Sequence, residues 1–265
     1  MRRRAALALS AALLAPILAL GGCATPSGSP EPPVASPSSG GALRAELTIY
    51  AAASLSTAFD ELAAAFESEN AAIDIRPIVY DGSSTLARQL QEGAQADVFA
   101  SADETNMGKV DALLDGSSEI FATNTLVLAT PAGNPADVTS LADLADPGVT
   151  VVLCEPEVPC GASSQRLLDA AGVTVTPASL EQNVTAVLTK VASGDADAGL
   201  VYRTDVIDRA DVESMAPEGA ADIVNRYPIA ALTESAQPEA ARAFVDFVTG
   251  ARGQRILADH GFGAP

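Results

Sequence analysis

The chain has 265 residues, a net charge of −19, 48% hydrophobic and only 4% aromatic residues, and no tryptophan. Once a leader and a linker are removed, this length suits one compact unit or two small lobes that share a hinge. The acidic balance argues against a nucleic-acid partner, whose phosphates require a basic surface, and the few aromatic rings supply little stacking surface for sugars or bases. A small anion is not excluded, because charges more than about 8–10 Å from a site are largely screened at physiological salt.

The first 44 residues have the pattern of a targeting leader and a tether. Three arginines at residues 2–4 precede an apolar stretch at 5–20, and two glycines come directly before Cys23. The apolar run is typical of a secretory signal rather than a spanning helix, and the small-small-Cys ending resembles a lipobox. We therefore predict a lipoprotein signal peptide over 1–22 and lipidation of Cys23; the alternative is an ordinary signal peptide with a chance cysteine. Residues 23–44, rich in Pro, Ser and Gly, are predicted to form a lipidated, disordered tether.

With Cys23 assigned to lipid, Cys154 and Cys160 remain. Two is an even number and the expected compartment is oxidising, so we predict a disulfide between them that rigidifies the intervening loop. The alternative is two free thiols. A redox-active pair is disfavoured, because the thioredoxin-type motif has two residues between its cysteines.

From Leu47 onward, strand-like and helix-like segments alternate. The predicted strands are residues 47–51, 73–80 with an edge or bulge at Pro77, 98–100, 126–129, 149–153, 199–202 and 227–232. The predicted helices are residues 59–66, 85–92, 162–171, 184–191, 240–249 and 253–260. This alternation indicates an α/β fold with mainly parallel sheets. Ligands of such folds bind beyond the carboxyl ends of the strands, where helices begin.

Five residues at or near predicted strand ends and helix starts carry hydrogen-bond donors. They are Ser54, Ser83 in a hydroxyl-rich turn, Cys160, Val184 and Tyr202. Helix N-termini offer free backbone N–H groups and a positive dipole end, an arrangement that cradles anions. Taken singly, each serine also fits a helix cap, and Tyr202 also fits a partly buried tyrosine at a lobe edge.

Together the five residues form a donor-only pattern, because no Asp or Glu lies directly between these donors and their helix starts. Molybdate and sulfate are fully deprotonated at neutral pH, so their oxygens only accept hydrogen bonds, whereas phosphate requires an acceptor for its remaining proton. The pattern favours a proton-free oxyanion. The pattern does not choose between sulfate and the larger anions molybdate and tungstate, because only the size of the cavity distinguishes them.

Six stretches resemble the molybdate-binding protein family of bacterial ABC importers, and the resemblance extends over residues 47–262. They are YAAASL at 50–55, GSSTLARQL at 82–90, GAQADVFASAD at 93–103, VPCG at 158–161, GLVY at 199–202 and YPIA at 227–230. The resemblance implies an α/β, two-lobed type II periplasmic-binding-protein fold, with mainly parallel central sheets and two hinge crossings near residues 124–125 and 226–227. Lobe 1 is then expected to comprise 45–124 plus 227–265, and lobe 2 to comprise 125–226.

The resemblance also implies the ligand contacts. Ser54 and Ser83 are expected to offer hydroxyl and backbone N–H groups, Cys160 and Val184 backbone N–H groups, and Tyr202 its hydroxyl. Molybdenum is expected only within the bound oxyanion, with no side chain ligating the metal and no cofactor. Position 160 is often alanine in the family, which a backbone donor tolerates, but a disulfide at Cys160 constrains its backbone.

The implied function is capture of molybdate, and also tungstate, in an interlobe cleft and delivery to an ABC permease. We expect a monomer on the outer face of the cell membrane, held there by lipid on Cys23, with no nucleic-acid partner. No enzyme is expected, since His260 is the single histidine and no nucleophile elbow is present. The alternatives are an enzyme, a lipoprotein that binds sulfate, phosphate or an organic anion, and a structural or adhesion lipoprotein.

Overall fold

The computed structural model describes residues 45–265. The predicted signal peptide at 1–22, the lipidation site Cys23 and the rest of the tether up to residue 44 lie outside the described residues. None of the described helices is long and apolar enough to cross a membrane.

The described part of the chain contains twelve strands and seven α-helices. The strands are β1 (Ala45–Leu47), β2 (Ile49–Ala52), β3 (Ile73–Ile75), β4 (Val79–Asp81), β5 (Val98–Ala100), β6 (Glu119–Asn124), β7 (Leu126–Pro131), β8 (Val151–Cys154), β9 (Ser179–Glu181), β10 (Ala198–Tyr202), β11 (Val212–Met215) and β12 (Asn225–Ala231). The helices are α1 (Ser56–Glu69), α2 (Ser83–Gln91), α3 (Glu104–Gly108), α4 (Pro159–Ala171), α5 (Val184–Ala192), α6 (Pro238–Thr249) and α7 (Ala251–Asp259).

The strands form two five-stranded sheets, and β1 pairs separately with β3. The first sheet has the order β4-β2-β5-β12-β6 and the second sheet the order β11-β7-β10-β8-β9. In the first sheet β2 runs parallel to β4 and β5, and in the second β8 runs parallel to β9 and β10. The strands β12 and β7 run antiparallel to their neighbours. The predicted α/β class is confirmed, and the parallel strands β2, β4, β8 and β9 lead into the helical turns where a ligand site is expected.

The chain passes twice between the sheets. Thr125 alone separates β6 of the first sheet from β7 of the second. On the return, β11 ends at Met215 and β12 begins at Asn225. Arg226 and Tyr227, where the second crossing is expected, already pair with β6 in the first sheet. The division into lobes at these boundaries stays a prediction.

Packing of their apolar faces orients the helices that begin at the space between the two sheets. Phe59 and Phe66 lie on one face of α1 and contact Phe244 of α6 edge-to-face, with ring centroids 6.2 and 5.3 Å apart. On the second sheet, α5 buries Val184, Val187, Leu188 and Val191, the spacing of a helix with one apolar face. The buried faces therefore hold the N-terminal ends of α1 and α5 in place.

Candidate functional site

A cavity lies between the two sheets, at the carboxyl ends of β2, β4, β8 and β10. The volume open to the centre of a water molecule is about 10 Å³, so the two sides of the cavity lie close together. Its lining residues are Ala52, Ala53, Ser54, Asp81, Gly82, Ser83, Ala102, Val158, Pro159, Cys160, Asn183, Val184 and Tyr202. All five residues that the sequence predicts for the site are among them, two from the first sheet and three from the second.

Ser54 and Ser83 reach the cavity from the first sheet. Ser54 lies in a 3-10 turn between β2 and α1, and its Oγ is 3.1 Å from the Tyr227 hydroxyl. Ser83 is the first residue of α2, and its buried Oγ accepts a hydrogen bond from the Ala102 N–H at 3.0 Å. Neither side chain caps its own helix. The helix-cap alternative therefore does not describe either serine.

Cys160 and Val184 lie in the first turns of α4 and α5. The backbone N–H groups of a first helical turn have no partner within the helix and are free for a ligand. Asn183 is the N-cap of α5, because its Oδ1 accepts from the Ala186 N–H at 2.9 Å. Both helix N-termini point their positive dipole ends toward the cavity wall.

Tyr202 ends β10 and is only 1% exposed. Its hydroxyl accepts a hydrogen bond from Asn225 Nδ2 at 2.9 Å. Burial raises the pKa of Tyr202 well above its usual value, and the nearby Tyr227 raises it further. The phenol therefore keeps its proton at physiological pH and is available as a donor.

The structure contains a disulfide between Cys154 and Cys160. It joins the end of β8 to the first turn of α4, where Cys160 lines the cavity. Closing so short a loop lowers the entropy of the unfolded chain only modestly, and the gain in folding stability is about 2 kcal/mol. The larger consequence is that the backbone around the Cys160 N–H is held to the end of β8.

Asp81 is a cavity residue that the sequence reasoning missed. Its Oδ1 accepts from the Gly82 N–H at 2.7 Å and from Asn183 Nδ2 at 2.8 Å. The second bond links the end of β4 to the N-cap of α5, so it connects the two sheets beside the cavity. The only signal in the sequence is the position of Asp81 at the end of a predicted strand, directly before the hydroxyl-rich turn.

Asp205 lies behind the site, and its Oδ2 accepts from the Tyr202 N–H at 2.8 Å. Burial raises its pKa to about 7, although the hydrogen bond from Tyr202 and the charge of Arg209 act in the opposite direction. A carboxyl whose pKa is raised on folding stabilises the protein at low pH and loses that contribution as pH rises to the folded-state pKa. For Asp205 this loss falls between about pH 4 and pH 7.

We expect Asp205→Asn to stabilise the protein above pH 7 and to have little effect near pH 4, because the amide keeps an acceptor for Tyr202 and carries no charge. The expected gain at pH 8 is about 1–2 kcal/mol, below the full effect of the pKa change because the side chain is not completely buried. Thermal unfolding at pH 4, 6 and 8 measures it, with the exposed Asp222→Asn as control. A stability difference that does not vary with pH contradicts the assignment.

Comparison with known proteins shows the family of this chain. The family model described as bacterial extracellular solute-binding protein matches residues 47–263. The molybdate-binding protein ModA of Mycobacterium tuberculosis (strain H37Rv) is 44% identical, over 97% of this chain and 98% of the relative.

Two solved structures share the fold. The periplasmic molybdate-binding protein of Azotobacter vinelandii superposes with a TM-score of 0.69 at 23% identity, covering 83% of this chain and 99% of that one. The sulfate-binding protein SubI from Mycobacterium tuberculosis H37Rv also has a TM-score of 0.69, at 18% identity, covering 82% and 86%. At these identities the likeness shows the fold alone.

Proposed function

We propose that this chain, which belongs to the family of bacterial extracellular solute-binding proteins, captures molybdate, and also tungstate, outside the cytoplasm and delivers it to an ABC permease. The observation that carries the proposal is the convergence of Ser54, Ser83, Cys160, Val184 and Tyr202 on one cavity between the sheets. The similarity to a molybdate-binding protein over nearly the whole chain supports the choice of ligand. The proposed role is binding and delivery, without catalysis.

The proposed contacts are hydrogen bonds from neutral groups. The hydroxyls of Ser54, Ser83 and Tyr202 and the backbone N–H groups of Cys160 and Val184 would surround the four oxygens of the anion. The residues that line the cavity include no Lys, Arg or His; the lining has one carboxylate, Asp81, whose Oδ1 accepts from the Gly82 N–H and from Asn183 Nδ2. The dianion is then stabilised by helix N-termini and by charge-assisted hydrogen bonds rather than by a countercharge.

The position of the donors also explains how binding is coupled to delivery. Donors come from both sheets, so the anion bonds to all of them only when the sheets lie close together. A ligand shifts an equilibrium between open and closed states only if it binds one of them better. Contacts with both sheets supply that difference, and the closed form is the one proposed to dock on the permease.

The proposed location is the outer face of the cell membrane. The support for it is the leader at residues 1–22 and the small-small-Cys ending at Cys23. A lipid on Cys23, followed by the tether, would keep a monomeric binding protein close to its permease.

Titration calorimetry of the soluble domain from Ala45 with molybdate tests the site. Each of Ser83→Ala and Tyr202→Phe removes one donor to a buried anion and should weaken binding by about 1.5–3 kcal/mol. Ser68→Ala, at an exposed residue far along α1, is the control and should bind as tightly as the unchanged protein. Unchanged molybdate affinity in both site variants defeats the assignment.

Sulfate is the second candidate, because it presents the same acceptor-only tetrahedral surface and the fold is shared with a sulfate-binding protein. Competition titrations with tungstate, sulfate and phosphate separate the two. Displacement of molybdate by tungstate but not by a large excess of sulfate supports the proposal. Tight sulfate binding with weak molybdate binding replaces it with the second candidate.

A further inference from the structure

A buried asparagine lies directly behind the Tyr202 hydroxyl. Asn225, the first residue of β12, is 2% exposed. Its Nδ2 donates to the Tyr202 hydroxyl at 2.9 Å and to the Ala102 carbonyl at 3.1 Å, and its Oδ1 accepts from Ser163 Oγ at 2.5 Å. Asn225 thus contacts residues of both sheets without itself lining the cavity.

The neighbours of Asn225 determine which way its amide points. The Ala102 carbonyl can only accept, so Nδ2 must face it and the Tyr202 hydroxyl. On the other side, Arg166 donates to Ser163 Oγ at 2.8 Å. A guanidinium has no acceptor, so Ser163 accepts a hydrogen bond from it and donates one to Asn225 Oδ1. The donors are therefore ordered in one direction, from Arg166 through Ser163 and Asn225 to Tyr202.

This order decides what the Tyr202 hydroxyl can do. Its oxygen already accepts from Asn225, so its proton is left to donate. The neighbouring Tyr227 hydroxyl is the competing acceptor, but a bound dianion is the stronger one, because hydrogen bonds to a charged acceptor are stronger than those to a neutral hydroxyl. Since Tyr202 lines the cavity, its proton is directed to an oxygen of the bound anion.

We propose that Asn225 is a positioning residue that fixes the Tyr202 hydroxyl as a donor to the anion and thereby favours oxyanions that carry no proton. The inference rests on the proposed function, and it adds a specificity determinant that does not touch the ligand. An oxyanion that must donate its own proton meets at Tyr202 an oxygen that already accepts from Asn225 and is therefore a poorer acceptor.

The decisive variant is Asn225→Asp. A carboxylate only accepts, so it takes the proton of Tyr202 and removes that donor from the cavity. At pH 8 we expect the molybdate affinity to fall by about 100-fold or more, since a donor is lost and a like charge is added behind it. As pH is lowered toward 5.5 the new carboxyl becomes protonated, so the loss should shrink and the preference for molybdate over phosphate should partly return.

Other charged or titratable groups lie near Tyr202, namely Asp103, Asp205, Tyr227 and Arg166. These groups are present in the unchanged protein as well. The effect at each pH is therefore expressed as the ratio of the molybdate affinity of Asn225→Asp to that of the unchanged protein. A ratio that stays constant with pH overturns the proposal.

Ser163→Ala is the second variant. It provides the test if Asn225→Asp is misfolded, as shown by the loss of cooperative unfolding. It removes the anchor of the Asn225 Oδ1 and should weaken molybdate binding by about tenfold. Ser164→Ala, a buried neighbour on α4 whose hydroxyl bonds only within the helix, is the matched control and should bind like the unchanged protein.

Both variants are then made in the Tyr202→Phe background. Because Asn225 is proposed to act through Tyr202, the effect of Ser163→Ala should disappear there, and that of Asn225→Asp should shrink to the repulsion between its charge and the anion. Equal losses in both backgrounds would indicate a merely structural role and overturn the proposal. If the unchanged protein does not bind molybdate, the proposed function fails. If it binds and the variants bind equally well, only the role of Asn225 fails.

Discussion

Replacing Gly82 with alanine is expected to abolish tight molybdate binding and to leave the fold intact. A Cβ at this position would lie 2.1 Å from the Gln182 carbonyl oxygen and 3.2 Å from Val158 Cγ1. Gln182 and Val158 come from the segments that lead into α5 and α4 of the second sheet, so the clash lies across the cavity. The backbone of Gly82, with φ −59° and ψ 134°, suits any L-residue. The obstacle is therefore the approach of the two sheets and not local strain.

Relief of this clash requires the sheets to separate, because the atom at 2.1 Å belongs to the backbone. Separation draws the Val184 N–H away from Ser83, and one anion no longer reaches both. We expect at least about 100-fold weaker binding in calorimetry and a melting temperature without ligand close to that of the unchanged protein. Gly108→Ala is the control, since a Cβ there meets nothing within 4 Å. Full affinity in Gly82→Ala would show that the bound state does not need this close approach.

Much of the candidate site could be predicted from the sequence because the turns that form it are local features. Ser54 and Ser83 follow apolar strands and precede helical patterns, and Asn183 directly precedes the helical pattern at 184–191. A general property of parallel α/β sheets then places such turns at one edge. Local pattern alone did not identify Tyr202, because a tyrosine at the end of a strand is common. The family resemblance identified it as a site residue.

The parts that escaped prediction depend on contacts between distant residues or on weak patterns. β9 has three residues, with Leu180 47% exposed, so it lacks an alternating apolar face. The predicted strand at 73–80 is two strands separated at Pro77, which has no N–H for a ladder. The bond between Asp81 and Asn183 spans 102 positions, and that between Asn225 and Ala102 spans 123. Periodic patterns in a single sequence report on neighbouring residues, so they do not predict contacts between residues this far apart.

Replacing Gly161 with alanine is expected to destabilise the folded protein by about 2–3 kcal/mol, the usual cost of inserting an atom into filled space. A Cβ at this position would lie 1.9 Å from the Glu155 carbonyl oxygen and 2.8 Å from that of Cys154. Both are backbone atoms. The loop cannot easily move away, because Glu155 N–H donates to the Glu181 carbonyl in β9 at 2.8 Å, and the disulfide joins Cys154 to Cys160. The first turn of α4 must shift instead, which also moves the Cys160 N–H at the cavity.

The disulfide makes this prediction testable beyond a simple loss of stability. If the closed loop is what prevents relaxation, the cost of Gly161→Ala should fall by about 1 kcal/mol or more when Cys154 and Cys160 are both replaced with serine, because the two sites are coupled. Urea unfolding of the four proteins in this double-mutant cycle measures that coupling, and molybdate titration of the same proteins shows whether affinity returns with it. Equal costs with and without the disulfide would mean that the strands β8 and β9, and not the bridge, hold the loop against α4. In that case the disulfide would stabilise the protein only by restricting the unfolded chain, and it would not position the Cys160 N–H at the cavity.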